Sequence, residues 1–313
     1  LSQHVFDIVV AGAGPAGATL ALRLARAGRR TALVDSALFP RQKVCGEYLS
    51  AGAWRVIDDL GLGALRSSAV ELRSMRLAVP SGRQLDCPFE KGSAPAALSR
   101  YRFDQALIDA AREAGVELFL ERRVRRVRVV GGRVEGVSLV DVHHAGNSFE
   151  LDAPNVVAAD GRRSQVVRDT GTLRGKPAGL VGYKRHLRAA DMEPFMGRIA
   201  MHSLPGGYLG ICPVDERTVN LCGLLPKERL QQARGDVTAA LRTWISPKSP
   251  IAGILTDCSG RPEDEAADDD ALSRWSTMPD VAPQSAEPHV DGVLYIGDAM
   301  QTIEPLTGQG MTI

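Results

Sequence analysis

One six-residue run constrains this chain more than any other: Gly12-Ala13-Gly14-Pro15-Ala16-Gly17. It follows Val5-Phe6-Asp7-Ile8-Val9-Val10, an apolar run suited to a buried parallel strand, and it opens an alanine- and leucine-rich helix over 15–27 that Gly28 stops. Strand, glycine turn and helix are the context that a GxGxxG fingerprint needs. Gly12 makes the tight turn, Gly14 lets the backbone approach a pyrophosphate, and Gly17 lets the helix pack closely on the strand. The helix start adds free N–H groups and the positive end of its dipole. Thr31–Val34 reads as a second strand, closed by Asp35, whose carboxylate sits where ribose hydroxyls would be accepted. A dinucleotide is therefore the expected ligand of this element, which by itself does not choose between NAD and FAD.

The rest of the chain narrows the class. At 313 residues it is long enough for one large domain or two interlocked ones, and 44% hydrophobic and 24% charged residues are globular values. Thirty-eight basic against 37 acidic residues leave +1, which gives no electrostatic footprint for nucleic acid. No stretch supplies the roughly 20 apolar residues of a transmembrane span, and the start runs into a strand without a signal-peptide pattern. Five cysteines, Cys45, Cys87, Cys212, Cys222 and Cys258, form no CxxC, so no disulfide framework is expected and a cytoplasmic location is the default.

Helical spacing recurs over 101–114, where Phe103, Ala106, Leu107, Ala110, Ala111 and Ala114 precede Gly115. From 116 to 159 the period changes to two: a hairpin of Val124–Val130 and Val134–Val142 about Gly131-Gly132, then strands near 148–152 and 155–159. Strands are again expected through 175–224, a loop or linker over 259–291, and a last buried strand at Val293–Ile296. This order predicts an α/β fold: a Rossmann-like domain of 1–75, 97–172 and 286–313, interrupted by a β-rich substrate domain of 76–96 and 173–285. The chain ends at Ile313 inside what reads as the first turn of a helix, so a C-terminal continuation in the natural protein is expected.

Two further motifs choose the cofactor. Val156-Val157-Ala158-Ala159-Asp160-Gly161 is a buried strand ending in Asp-Gly. Val293-Leu294-Tyr295-Ile296-Gly297-Asp298 is another ending in Gly-Asp, followed by Pro305-Leu306-Thr307-Gly308-Gln309-Gly310-Met311. With these three fingerprints in order, the chain resembles the flavoprotein superfamily of aromatic-ring hydroxylases, geranylgeranyl reductases and flavin halogenases. The resemblance implies FAD as cofactor, with Asp298 and Gly297 at the ribityl chain and Gly308, Gln309, Gly310 and Met311 pointing amides at the flavin pyrimidine. It also implies a cofactor contact for Arg100, an adenine contact for the backbone of Val124, and places for Asp160 and Gly161 along the FAD and nicotinamide cleft.

The segment Pro40-Arg41-Gln42-Lys43-Val44-Cys45-Gly46-Glu47 is similar to the Pro-Arg-x-Lys-x-Cys-Gly segment of the geranylgeranyl-reductase branch, which adds Arg41, Cys45 and Gly46 to the expected cofactor contacts. Tyr208–Pro213 resembles that branch's Tyr-x-Trp-x-Phe-Pro strand, with Gly210 and Cys212 in place of two rings. That exchange argues for a ligand wider than a slim prenyl chain. Catalytic candidates are Glu47, as acid, base or salt-bridge partner of Arg41 or Lys43, together with Cys45 and Tyr208.

The resulting expectation is an FAD-dependent reductase or monooxygenase acting on a hydrophobic or aromatic small molecule. A second GxGxxG is lacking, so NAD(P)H would bind transiently or a partner reductase would supply electrons. A flavin halogenase is the alternative enzyme, because Gly46-Glu47-Tyr48 resembles that branch's Gly-Glu-Ser, although its Trp-x-Trp-x-Ile-Pro motif is absent and Lys91 is the only lysine near the expected catalytic position. A non-catalytic flavin-binding role is the third reading. No metal site is expected: His143-His144, read as strand neighbours, face opposite ways, and the acidic clusters 263–265 and 268–270 lack calcium-loop spacing. The arginines of 122–133 are read as a solvated face.

Overall fold

A computed structural model describes residues 5–144, 146–176, 178–189, 191–245, 274–307 and 310–311. At its centre five parallel strands run in the order Val293–Tyr295, Val156–Ala158, Ile8–Ala11, Thr31–Val34 and Glu117–Phe119. Every residue of Ile8–Ala11 is buried because both faces of the sheet are covered. Ile8 and Val10 pack with Leu22, Trp54, Leu107 and Ile108, from the helices Pro15–Arg26, Ala51–Asp59 and Arg100–Glu113. Val9 and Ala11 pack on the other side with Val127, Val137, Leu139 and Leu151. Those four come from an antiparallel sheet of Arg122–Val130, Arg133–Asp141 and Ser148–Asp152. At about 1.5–3 kcal/mol for each large apolar side chain, these two layers supply the burial that holds the domain.

A second sheet has seven strands in the order Ser276–Pro279, Leu180–Arg188, Thr218–Pro226, Gly207–Pro213, Arg198–Leu204, Ser74–Ala78 and Gln84–Pro88. Alternation splits it into two faces. Tyr183, Leu209, Ile211 and Leu221 pack with Leu241 and Trp244 of the helix Val237–Trp244. The opposite face, carrying Lys184, His186, Cys212 and Asn220, meets the segment 42–47 of the first domain.

The structure is the α/β architecture expected, with local differences. Two strands, Ser276–Pro279 and Gln284–Pro288, form within the supposed loop 259–291; each is held by pairing with a distant strand, Leu180–Arg188 or Gly171–Gly175. The strands Ser74–Ala78 and Gly171–Gly175 straddle the expected domain limits at 75/76 and 172/173. His143 and His144 lie in the turn after the strand Arg133–Asp141, where both amides donate to Asp141 Oδ1. The acidic clusters, Cys258, Gly308 and Gln309 lie outside the described residues. Cys45, Cys87, Cys212 and Cys222 are free thiols. Among the described residues no helix is long and apolar enough to cross a membrane, and no group of His, Cys, Asp and Glu could hold a metal ion.

Candidate functional site

A cleft of about 970 Å³ opens along the carboxyl ends of the parallel strands, where open α/β sheets bind ligands. Gly12, Gly14, Pro15 and Ala16 form its floor. Gly12 takes φ +103°, and a Cβ there would lie 2.3 Å from Ala159 O, so only glycine lets the turn pass the neighbouring strand end. Gly17 is behind the surface, where a Cβ would meet Gly12 O at 1.8 Å. Gly14 differs: a Cβ there would meet only Arg41 Nη2 at 3.8 Å, so that position is open to a ligand. The helix begins at Pro15 with no side-chain cap and no acidic residue in its first turn. Its dipole and free amides are thus available to phosphate oxygens.

Asp35 is fixed at the edge of this floor by two backbone donors, Ala13 N to Oδ2 at 2.8 Å and Ala37 N to Oδ1 at 2.9 Å. Ala13 acts through that bond and is itself fully buried. Arg41 is ion-paired through Nη1 to Asp104 at 3.2 Å and through Nη2 to Asp35 at 4.0 Å. Arg100, buried, grips Asp104 with a bidentate pair at 2.6 and 2.7 Å. Burial opposes its charge, but Asp104 outweighs burial and keeps the guanidinium protonated. Lys43 lines the same wall; burial lowers its pKa, and the charges of Arg41 and Arg100 lower it further. These three cations share the wall with two carboxylates, Asp104 and Asp35, and the positive charge left in excess favours an anion.

Further along, the cleft is lined by Val124, Asp160, Gly161, Gly297, Asp298, Gly310 and Met311. Asp160 accepts from Gln165 N at 2.9 Å through Oδ2, while its Oδ1 is buried without a partner. Burial raises its pKa against the opposing bond from Ser164. Gly297 adopts φ +56°, and Asp298 beside it is 3.3 Å from Arg162. Arg122 and Arg123 also line the cleft, so the basic run is not purely a solvated face. An uncapped helix start, a ribose-height carboxylate, an orphaned carboxylate oxygen and a second acid at the far strand end fit an extended dinucleotide such as FAD.

Glu47 stands apart from this cleft. It is fully buried at φ +59°, a strained position for a residue with a side chain. Its Oε1 accepts from Arg100 N at 2.7 Å and Lys184 Nζ at 2.5 Å, and its Oε2 lies 2.6 Å from His186 Nε2. Burial resists ionisation, but the Lys184 charge and the His186 hydrogen bond prevail and pull its pKa down to about 2. Its ion partners are therefore Lys184 and His186, not Arg41 or Lys43. A carboxylate so saturated and so acidic is poorly suited to shuttle protons.

Cys45 and Gly46 do not line the described cleft. The Cys45 thiol accepts from Glu47 N at 3.3 Å, and its carbonyl accepts from Asn220 Nδ2 at 2.8 Å. Tyr208 is half-buried on the inward face of the seven-stranded sheet, and burial followed by nearby Cys222 raises its hydroxyl pKa. Cys212 is packed among Val70, Leu72, Ala97 and Ile199, so its place in the strand is filled rather than hollow. Sequence reasoning missed Lys184, His186, Asp104 and Asn220. The alternation of Lys184 and His186 in the strand Leu180–Arg188 was the available signal, since it places both on one face.

Residues 5–313 match the family described as FAD binding domain. Menaquinone reductase of Mycolicibacterium smegmatis is 30% identical over 97% of this chain and 72% of its own length. Digeranylgeranylglycerophospholipid reductase 1 of Methanopyrus kandleri is 28% identical over 98% of this chain and 76% of its own. Two solved structures share the fold. The myxobacterial chondrochloren halogenase CndH has a TM-score of 0.81 at 22% identity, over 99% of this chain and 71% of that one. PqsL of Pseudomonas aeruginosa has a TM-score of 0.74 at 20% identity, over 99% of this chain and 82% of that one. Geometry and relatives agree: the chain belongs to the FAD binding domain family of flavin-dependent oxidoreductases.

Proposed function

We propose that the protein uses FAD to oxidise or reduce a hydrophobic small molecule held between the flavin and the inward face of the seven-stranded sheet. The observation that carries this reading is one cleft in which the uncapped helix start, Asp35, Arg41 and Asp298 converge, linked to that sheet through Gln42, which lines the cleft and accepts from Lys184 Nζ. Bound FAD would supply the two-electron chemistry. The chain's own groups would do the rest. The amides at Gly14–Gly17 would hold the pyrophosphate, and Asp35 the adenine ribose. Arg41, Lys43 and Arg100 would balance cofactor charge, and Asp298 would take a ribityl hydroxyl. The bulk of the 76–96 and 173–285 domain would exclude water and orient the substrate. NAD(P)H, binding transiently near Asp160–Gly161, is the proposed donor. Relatives named as menaquinone and digeranylgeranylglycerophospholipid reductases favour reduction over halogenation. Lys91, the lysine a halogenase would need, is exposed and lines neither the cofactor cleft nor the cavity beside it.

Purified protein is expected to be yellow, and heating should release FAD rather than FMN; release of NAD alone would sink the reading. Loss of one charge-assisted hydrogen bond in Asp298→Ala should weaken FAD by about 1.5–3 kcal/mol, roughly ten- to hundred-fold, measured by fluorescence titration of the apoprotein. Unchanged affinity would displace Asp298 from the cofactor. Gly210→Trp tests the substrate face. A Cβ there would lie 3.1 Å from the backbone oxygen of Cys222, which must give by a few tenths of an ångström, so a thermal melt of the variant is compared with the parent first. The variant is expected to keep FAD and its reduction by NADPH while losing turnover; normal turnover would remove this strand from the substrate wall.

A further inference from the structure

A second cavity of about 1030 Å³ lies beyond the cofactor cleft, between the start of the helix Arg100–Glu113 and the end of the seven-stranded sheet. Gln42 lines both cavities and is the partition between them. Its Oε1 accepts from Lys184 Nζ at 2.8 Å, while its Nε2 is buried without a partner among the described residues. His186, bound on its other side to Glu47, also lines the second cavity.

The remaining walls are rich in arginine. Arg102 and Arg217 make no side-chain ion pair or hydrogen bond with described residues, and Arg198 Nε is buried and unpartnered. Arg73 is only loosely paired, at 3.5 Å, with Glu71. Three acids, Glu71, Asp215 and Glu216, line the same walls against five arginines, so the cavity is basic on balance; Asp215 Oδ1 accepts from the backbone amide of Arg217 at 2.8 Å. Two guanidiniums without a side-chain partner on separate elements, beside the dehydrated Nε of Arg198, whose charge is felt by Asp86, make a basic wall able to receive an anion.

We infer that this second cavity binds the oxyanion head of the substrate, a phosphate or a carboxylate, among Arg102, Arg198 and Arg217. The substrate is then an amphipathic anion whose charged end stays in the arginine cavity and whose apolar, reacting end passes Gln42 toward the flavin. This rests on the oxidoreductase reading above for the direction of the apolar end, but not for the anion site itself.

Calorimetric titration of the FAD-loaded protein with inorganic phosphate, and separately with acetate, tests it; the FAD already occupies the other phosphate site. Saturable binding is expected, and whichever probe binds more tightly assigns the head as phosphate or carboxylate. Arg102→Gln and Arg217→Gln should each weaken it about tenfold, the loss of one charge-assisted hydrogen bond. Arg29→Gln, outside both cavities, should not. Absence of saturable binding by either anion, or binding that both variants leave unchanged, overturns the site. Reduction of the flavin by NADPH is followed in the same samples. Anion binding with a flavin that no donor reduces supports the site and overturns the redox reading; a reducible flavin without anion binding does the reverse.

Discussion

Gly17→Ala is expected to unfold the first domain, although it adds a single methyl group. The new Cβ would sit 1.8 Å from Gly12 O and 3.0 Å from Ala159 Cβ. The nearest obstacle is backbone, so no rotamer change relieves it, and the helix Pro15–Arg26 would have to lift from the sheet that buries Ala18, Ala21 and Leu22. The cost should exceed about 4 kcal/mol, the range reached by strain or overpacking at special backbone sites and a large part of a domain's stability. Gly14→Ala is the informative partner. Its Cβ has room, with only Arg41 Nη2 at 3.8 Å, so the protein should fold normally and lose FAD instead. Thermal melts of the apoproteins and FAD retention together separate the two outcomes. If Gly17→Ala melts within a degree or two of the parent, the close helix–strand approach is wrong.

The second large effect concerns Glu47→Gln. This change leaves Lys184 buried with its charge uncompensated, which costs about 3–5 kcal/mol when one partner of a buried pair is removed. Glu47→Leu combined with Lys184→Met should recover much of that loss, because apolar replacements of buried pairs are often neutral. The acid limb of stability gives an independent check. The pKa of Glu47 falls from an ordinary 4.5 to about 2 on folding. The unfolded chain therefore binds more protons between these values, and stability from this group is complete above about pH 4.5 and is lost as pH falls toward 2. The contribution is roughly 3 kcal/mol. Urea melts of the parent between pH 5 and 2.5 should show this loss, and Glu47→Gln should show a correspondingly flatter dependence. Equal slopes would mean that Glu47 is not held ionised by Lys184 and His186.

Much of the cofactor cleft was legible in the residues because its parts are local. A glycine at φ +103° beside a strand end, a proline opening a helix, and an acid closing the next strand each announce themselves within a few positions. The helix Arg100–Glu113 and the hairpin about Gly131-Gly132 were readable for the same reason: apolar period and turn chemistry are short-range signals. The helix Ala51–Asp59 was missed although Ala53, Trp54 and Ile57 carry its spacing, and Ser50 caps it by accepting from Ala53 N.

What the sequence by itself determined, then, is the nucleotide-binding element and the alternation of strand and helix around it. Only the tertiary structure decided the role of Glu47, which the residues left between catalyst and salt bridge. Its partners Lys184 and His186 lie 137 and 139 residues away, and nothing local selects them over nearby Arg41 and Lys43. The strands Ser276–Pro279 and Gln284–Pro288 exist only because distant edges offer them hydrogen bonds. Periodicity records which face of an element is buried, but not what is buried against it. That choice is made when the two sheets pack, and a buried charge must then find its partner in whatever surface arrives.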